Sequence, residues 1–393
     1  MRMRMRWSAV FALAGATAVG GCSAASNTSG SGGDGASSGQ GASGAGTGQG
    51  GGFIGVGGSG SGGAETCAAD TFEGVLVPLD IYVMLDKSSS MQDSSKWTNV
   101  TTALDTFFSD AGSAGIGVGL KFFPVAPSVP PPTTCDPNND MCGDYGPCIP
   151  IANICTGGFA GDSCTPADYA SPVLPIAELP GASGALASAL MSESPNGAST
   201  PTGKAMAGAR LYATQWAADH PTHLTYILFA TDGEPTGCSG DAAAEAAMAA
   251  AATPSVKTFV IGVGTELTFL NAVAQAGGTG QAYLVDTANT TQQFLDALAA
   301  LRGNSDCKYQ IPEPTGSPDY GLVNVTLVDP NDPSNTTTIP KVSGPSTCGN
   351  NPGWYYDDEA NPSYIELCPA SCELVKSGQL DVKVEIGCET IVR

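Results

Sequence analysis

The chain has 393 residues, and its 37 acidic and 15 basic side chains give a formal net charge of −22. This balance excludes nucleic acid as an expected partner, because binding phosphates requires clustered Lys and Arg. It also argues against docking on an anionic membrane surface. Two histidines leave little room for a His-ligated zinc site or a hydrolase triad.

The N-terminus has the pattern of an export signal. Arg2, Arg4 and Arg6 precede a short apolar stretch, and small residues lead from it to Cys22. About 13 apolar residues are too few to cross a bilayer core of roughly 30 Å, so residues 1–22 are predicted to be a signal peptide. The segment resembles a bacterial lipoprotein signal, which implies lipidation of Cys22. The alternative is an ordinary signal in which Cys22 is incidental.

Residues 23–65 consist almost entirely of Gly, Ser, Ala and Thr. Such a segment buries too little apolar surface to offset the loss of backbone entropy, and we expect it to be a disordered tether. The predicted protein is therefore exported and held at the bacterial cell envelope, at the outer membrane or cell surface. Its membrane contact would be through the lipid anchor only.

Twelve cysteines follow Cys22, an even number in a chain expected to reach an oxidising compartment. The sequence contains no paired C-x-x-C motif, which would have favoured a zinc site instead. We hypothesise two closed sets of six disulfide-bonded cysteines. The first set is Cys135, Cys142, Cys148, Cys155, Cys164 and Cys238, and the second is Cys67, Cys307, Cys348, Cys368, Cys372 and Cys388.

Between residues 80 and 304 the hydrophobic pattern alternates between strands and amphipathic helices. Apolar runs predict strands at 80–86, 115–123, 169–179, 224–230, 256–263 and 281–285, and helices are predicted at 97–111, 184–191, 201–218, 241–252, 267–276 and 291–301. This order predicts a doubly wound α/β fold with a mostly parallel sheet and helices on both faces. Ligands of such sheets bind beyond the carboxyl ends of the strands.

Polar side chains gather at that edge of the predicted sheet. Asp86, Ser88 and Ser90 end the first strand, Thr200 precedes the long helix, and Asp232 follows the central strand. Hydroxyl and carboxylate oxygens are hard donors that suit Mg²⁺, with Mn²⁺ or Ca²⁺ as alternatives.

The sequence Asp86-Lys-Ser-Ser-Ser90, with the distant Thr200 and Asp232, resembles the von Willebrand factor type A domain and its metal-ion-dependent adhesion site. The resemblance covers roughly residues 75–303. It implies that the serines bind the ion directly, that Thr200 adds a contact, and that the aspartates act directly or through water. It also implies that a protein partner supplies an acidic side chain to the ion. Ser89 stands where family members often have Gly.

Thr200 precedes Pro201 and could instead be the N-cap of the long helix, which would leave Thr202 as the ligand. Residues 66–305 are predicted to form the metal-binding domain, with a disulfide-rich insertion at about 124–168. That insertion emerges at the metal edge, where it could set partner specificity or serve only as a stabilising flap. A bridge from it to Cys238 is geometrically reasonable.

Residues 306–393 change to short alternating strands and predict a small disulfide-tied β module. Its segment 354–356, Trp-Tyr-Tyr, could be core or a stacking platform, and packing is favoured because a small fold needs a core. We expect a non-enzymatic binding or adhesion protein, since no nucleophile–base pair is visible. The alternative is an exported scaffold with a vestigial or stabilising metal site, in which the C-terminal module does the recognition.

Overall fold

The computed structural model describes residues 70–393, apart from 131, 133, 137, 139–141, 156–160, 304 and 313–318. These residues belong to one compact unit, Glu65–Arg393. The predicted signal peptide, the predicted tether and Cys67 lie outside the described residues. None of the helices in the described part is long and apolar enough to cross a membrane.

The described strands, in chain order, are β1 Asp70–Glu73, β2 Leu79–Asp86, β3 Gly117–Phe123, β4 Cys148–Ile149, β5 Ile154–Cys155, β6 Leu174–Glu178, β7 Leu224–Thr231, β8 Lys257–Val263, β9 Tyr283–Val285, β10 Lys308–Gln310, β11 Val323–Asp329, β12 Asp332–Ile339, β13 Trp354–Tyr356, β14 Tyr364–Leu367 and β15 Asp381–Ile386. The α-helices are α1 Lys96–Ser109, α2 Pro166–Ala170, α3 Ser183–Ser192, α4 Thr202–Asp219, α5 Ala242–Ala250, α6 Leu270–Ala276, α7 Thr290–Gly303 and α8 Pro369–Lys376.

A six-stranded sheet in the order β6-β3-β2-β7-β8-β9 forms the centre of the larger part. All its neighbouring strands are parallel except β6, which pairs antiparallel with β3. Every residue of β2 is buried, because one apolar layer lies against α1, α3 and α7 and a second lies against α2, α4, α5 and α6. The predicted doubly wound, mostly parallel α/β fold is confirmed.

The predicted strand at 169–179 is wrong in its first half. Pro166 starts the short helix α2, as its fixed φ allows in a first turn. Tyr169 is then fully buried, and its hydroxyl donates to the carbonyl of Ser163 at 2.5 Å. Only Leu174–Glu178 is a strand, and as an edge strand it buries little more than Ile176. Local apolar content could not distinguish the short helix from the mostly exposed edge strand.

The C-terminal residues form two antiparallel sheets, β1-β15-β11-β12 and β10-β14-β13. The first sheet also includes β1, which precedes the six-stranded sheet in the sequence and pairs antiparallel with β15. The segment Trp354-Tyr355-Tyr356 is buried as strand β13, which confirms the prediction that it packs in the core. Helix α8 and strands β1 and β10 were not predicted, because each is too short to show a clear period.

Five disulfides are described: Cys135–Cys148, Cys142–Cys155, Cys164–Cys238, Cys307–Cys372 and Cys348–Cys368. Cys388 is also disulfide-bonded. Within the described residues, each of these five bridges stays inside one of the two hypothesised sets. The Cys164–Cys238 bridge joins the insertion to the segment that follows β7, as its predicted position at the metal edge requires.

Candidate metal site

Asp86 is the buried centre of the polar edge. Strands β2 and β7 are parallel neighbours, so Asp86 and Thr231 end side by side. The Asp86 carboxylate accepts hydrogen bonds from the Ser88 amide at 2.7 Å and the Thr231 hydroxyl at 2.6 Å. Burial raises the pKa of Asp86 to about 6, although both hydrogen bonds act in the opposite direction. A cation beside this carboxylate would stabilise its charged form.

Ser88, Ser90 and Asp232 bring three oxygens together. Ser88 Oγ lies 3.1 Å from Ser90 Oγ, and Ser90 Oγ donates to Asp232 Oδ1 at 2.8 Å. With Mg–O bonds of about 2.1 Å, adjacent ligands of an octahedron lie about 3 Å apart. The two oxygen–oxygen distances are those of hydrogen bonds and are also close to the edge length of such an octahedron. The donor set of hydroxyls and carboxylates fits a hard divalent cation.

Thr200 lies beside the Asp232 loop. A Cβ placed on Gly233 would be 3.1 Å from Thr200 Oγ1, so the threonine side chain faces the residue after Asp232. Pro201 occupies the N-cap position of α4, and Thr202 is the first helical residue. The Thr202 hydroxyl is buried and makes no hydrogen bond with the described residues. The structure thus brings Thr200 to the neighbourhood of Asp232, as the sequence predicted.

The loop after β2 is paired with the segment that leads to Thr200. The amide of Ser89 donates to the Gly197 carbonyl at 2.9 Å, and the amide of Asn196 donates to the Lys87 carbonyl at 3.0 Å. Gly197 is required here, since an added Cβ would lie 2.1 Å from Pro124 Cγ. These backbone bonds fix the first two parts of the site relative to one another.

Lys96 is a site residue that the sequence reasoning missed. It begins helix α1, and its Nζ lies 2.8 Å from Asp232 Oδ2, with 13% of the lysine side chain and none of the Asp232 side chain exposed. The sequence feature that could have identified Lys96 is its position in the connection after Ser90, at the edge of the sheet where β2 ends. The ammonium neutralises one of the two carboxylates near the serines.

The insertion supplies a second missed residue, Asp162. Its Oδ2 accepts from the Ser199 amide and hydroxyl, one residue before Thr200. Asp144, which precedes Asp162 in the insertion, pairs with Lys204 in the first turn of α4 at 2.8 Å. No local pattern marks either aspartate, because both contacts join residues more than 30 positions apart. The insertion is therefore attached to the segment that carries Thr200.

No protein-family model and no curated protein matches this chain. Solved structures similar to it include proximal thread matrix protein 1 from the mussel byssus, at 12% identity, a TM-score of 0.39, and coverage of 60% of this chain and 48% of that protein. The pilus adhesin SpaC from Lactobacillus rhamnosus GG in its open conformation is similar at 15% identity, with a TM-score of 0.40 over 79% of this chain and 38% of that one.

A third similar structure is the SpRpn10 VWA domain, at 13% identity and a TM-score of 0.35, over 57% of this chain and 95% of that domain. The chain thus spans about half of the mussel protein's length and less of the adhesin's. Similarity at this level does not bear on function, which rests on the geometry of the site itself.

Proposed function

We propose that this chain is a von Willebrand factor type A binding protein that engages an acidic side chain of a protein partner through a divalent cation. The ligands would be Asp86, Ser88, Ser90, Thr200 and Asp232, and the ion Mg²⁺, or else Mn²⁺ or Ca²⁺. The observation that carries the proposal is the chain of oxygens Ser88 Oγ, Ser90 Oγ and Asp232 Oδ1, spaced at 3.1 and 2.8 Å. Two separate segments of the sequence meet there, and Thr200 of a third segment lies beside Gly233, the residue after Asp232.

The chemistry follows from the charges of these residues. When bound, the cation acts as a Lewis acid that accepts one more oxygen ligand. The serine and threonine hydroxyls are neutral donors, and Lys96 offsets one of the two aspartates. The protein therefore supplies a net charge near −1, which leaves a divalent ion undercompensated. An acidic side chain on the partner would complete the charge balance.

The role we propose is adhesion or binding rather than catalysis. The described disulfides suit an oxidising compartment. We propose that lipidated Cys22 anchors the protein to the cell envelope and that residues 23–65 hold the folded part away from the lipid surface. In this arrangement the metal edge is the face that meets the partner.

Selection from a random peptide library in Mg²⁺ tests the demand for an acidic partner. Peptides retained by the wild-type protein and released by EDTA should be enriched in Asp or Glu. Replacing the enriched Asp or Glu of these peptides by Asn or Gln should abolish their binding. The Asp86→Ala protein should retain none of the peptides. Peptides that stay bound in EDTA, or that show no acidic enrichment, would contradict the proposal.

A further inference from the structure

We propose that the end of the disulfide-rich insertion, residues 162–164, is part of the metal site, and that Asp162 is a positioning residue that holds Thr200 in place for the ion. This inference rests on the proposed function. It assigns the insertion a role that the metal ligands alone do not reveal.

Asp162 fixes the backbone just before Thr200. One of its oxygens, Oδ2, accepts three hydrogen bonds: from the Ala198 amide at 3.1 Å, from the Ser199 amide at 2.8 Å and from the Ser199 hydroxyl at 2.7 Å. Residues 198–201 belong to no helix or strand, so no regular hydrogen-bond ladder holds them. Charge-assisted bonds of this kind are among the stronger ones in proteins.

Thr236 holds the same segment from the other side. The Thr200 amide donates to Thr236 Oγ1 at 2.8 Å, and the Thr236 amide donates back to the Thr200 carbonyl at 2.9 Å. Gly237 follows in a left-handed conformation, with φ of +88°, and a Cβ there would lie 2.7 Å from Ser199 Cβ. Thr200 is therefore enclosed between the insertion and the loop after Asp232.

The Cys164–Cys238 disulfide joins the two sides of this enclosure. Cys164 lies two residues after Asp162, and Cys238 lies two residues after Thr236. Asp162, Thr236 and the bridge thus form a closed frame around a buried Thr200. Partners that orient metal ligands typically change metal affinity about 10- to 100-fold when they are removed. The frame is expected to act on affinity in this way.

Mn²⁺ binding to the oxidised full chain, followed by the electron paramagnetic resonance signal of free Mn²⁺, tests the inference. Asp162→Ala should weaken binding about 10- to 100-fold. Asp162→Asn keeps an acceptor oxygen and should lose much less, which separates positioning from a long-range charge effect. In a Thr200→Ala background, Asp162→Ala should add no further loss, since coupled residues are non-additive.

The disulfide provides a second measurement that does not alter Asp162. The Cys164→Ser, Cys238→Ser protein should bind Mn²⁺ more weakly than wild type. The matched control, Cys135→Ser with Cys148→Ser, removes another bridge of the same insertion and should bind as wild type does. Melting temperatures measured in EDTA establish that each variant is folded.

Normal affinity in Asp162→Ala, or full additivity with Thr200→Ala, would overturn the inference while leaving the metal site itself intact. Equal losses in both cysteine pairs would also overturn it, because the effect would then be general destabilisation. A wild-type protein that binds no Mn²⁺ would instead overturn the proposed function, and with it the inference.

Discussion

Lys96 and Ser90 share the carboxylate of Asp232: the ammonium donates to Oδ2 at 2.8 Å and the hydroxyl donates to Oδ1, also at 2.8 Å. The lysine therefore stabilises the metal-free protein and opposes the charge of any bound cation. Both effects arise from one contact, so replacing the lysine should change both the stability of the metal-free protein and the affinity for the ion.

Lys96→Met is expected to shift stability and affinity in opposite directions. Without metal, the buried Asp232 loses a charged partner, which should lower the free energy of unfolding by about 1–3 kcal/mol. Mg²⁺ affinity should rise by on the order of fivefold, because the variant removes a positive charge that contacts a proposed ligand and repels the ion. Two unit charges 4 Å apart in water interact by about 1 kcal/mol, which sets this scale. Urea unfolding in EDTA and metal titration measure the two effects.

Lys383→Met is the control for that experiment, since Lys383 pairs at 3.3 Å with the exposed Glu73 between strands β1 and β15, in a different sheet from the one that carries the site. It should leave both quantities nearly unchanged, as exposed ion pairs contribute little. Weaker metal binding in Lys96→Met would show that the lysine supports the ion instead of opposing it.

Gly233→Ala tests the placement of Thr200. The new methyl group would lie 3.1 Å from Thr200 Oγ1, so the threonine must move by a few tenths of an ångström. Metal binding should weaken by up to about tenfold, or ~1.4 kcal/mol, with little change in melting temperature. Gly184→Ala in α3, where an added Cβ meets nothing within 4 Å, is the matched control and should bind normally. Unchanged affinity in Gly233→Ala would argue against Thr200 as a ligand.

Asp86 should give the metal-free protein a distinctive pH dependence. Burial raises its pKa from 3.8 to about 6 in the folded state. The folded chain then binds this proton more tightly than the unfolded chain, so the group's contribution to stability falls as pH rises toward and through about 6. Asp86→Asn removes the titration. Its stability relative to wild type should increase by on the order of 3 kcal/mol between about pH 4 and 7.

Urea unfolding in EDTA at a series of pH values measures this difference, and changes at other carboxylates cancel in the comparison. Saturating Mg²⁺ should reduce the advantage of the Asn variant at neutral pH, because the ion stabilises the ionised carboxylate. A pH-independent difference between the two proteins would contradict the account of Asp86.

The C-terminal sheets should depend on their disulfides. Cys307–Cys372 closes a loop with a sequence separation of 65 residues, and Cys348–Cys368 one of 20. In the chain-entropy model, their removal should cost about 4 and about 3 kcal/mol respectively. Peptide mapping without reduction should recover both pairs, and calorimetry of the serine double variants should rank them in this order. A bridge joining either pair to Cys135 or Cys238 would contradict the fold.

Much of the site could be predicted because strand order and local motifs determine it together. Parallel strands end at one edge, so a polar motif after residue 86 and an aspartate after Thr231 had to converge once the sheet was recognised. Lys96 could have been found from its place in the connection after Ser90. Asp162 could not, because its contact with Ser199 spans 37 residues and depends on how the insertion folds.

The fold likewise divides into elements that local patterns predict and contacts between distant residues that they do not. The long apolar runs and three- to four-residue periods of β2, β7, α1 and α4 were sufficient, because burial on both sides of a sheet leaves a strong pattern. The error at 169–179 arose where a one-turn helix and an edge strand share one apolar segment. The pairing of Asp70–Glu73 with β15 joins residues more than 300 positions apart, and no local pattern encodes it.

Titration calorimetry of the oxidised full chain with Mg²⁺ and Mn²⁺ tests the central claim most directly. The Asp86→Ala, Ser88→Ala protein is compared with Asp332→Ala, Ser334→Ala, which removes the same Asp-x-Ser turn, with an amide-to-carboxylate bond of 3.1 Å, from the β11–β12 hairpin. We predict saturable binding in wild type and in the hairpin variant, and none in the site variant. Absence of binding in wild type, or equal binding in all three proteins, would contradict the metal site.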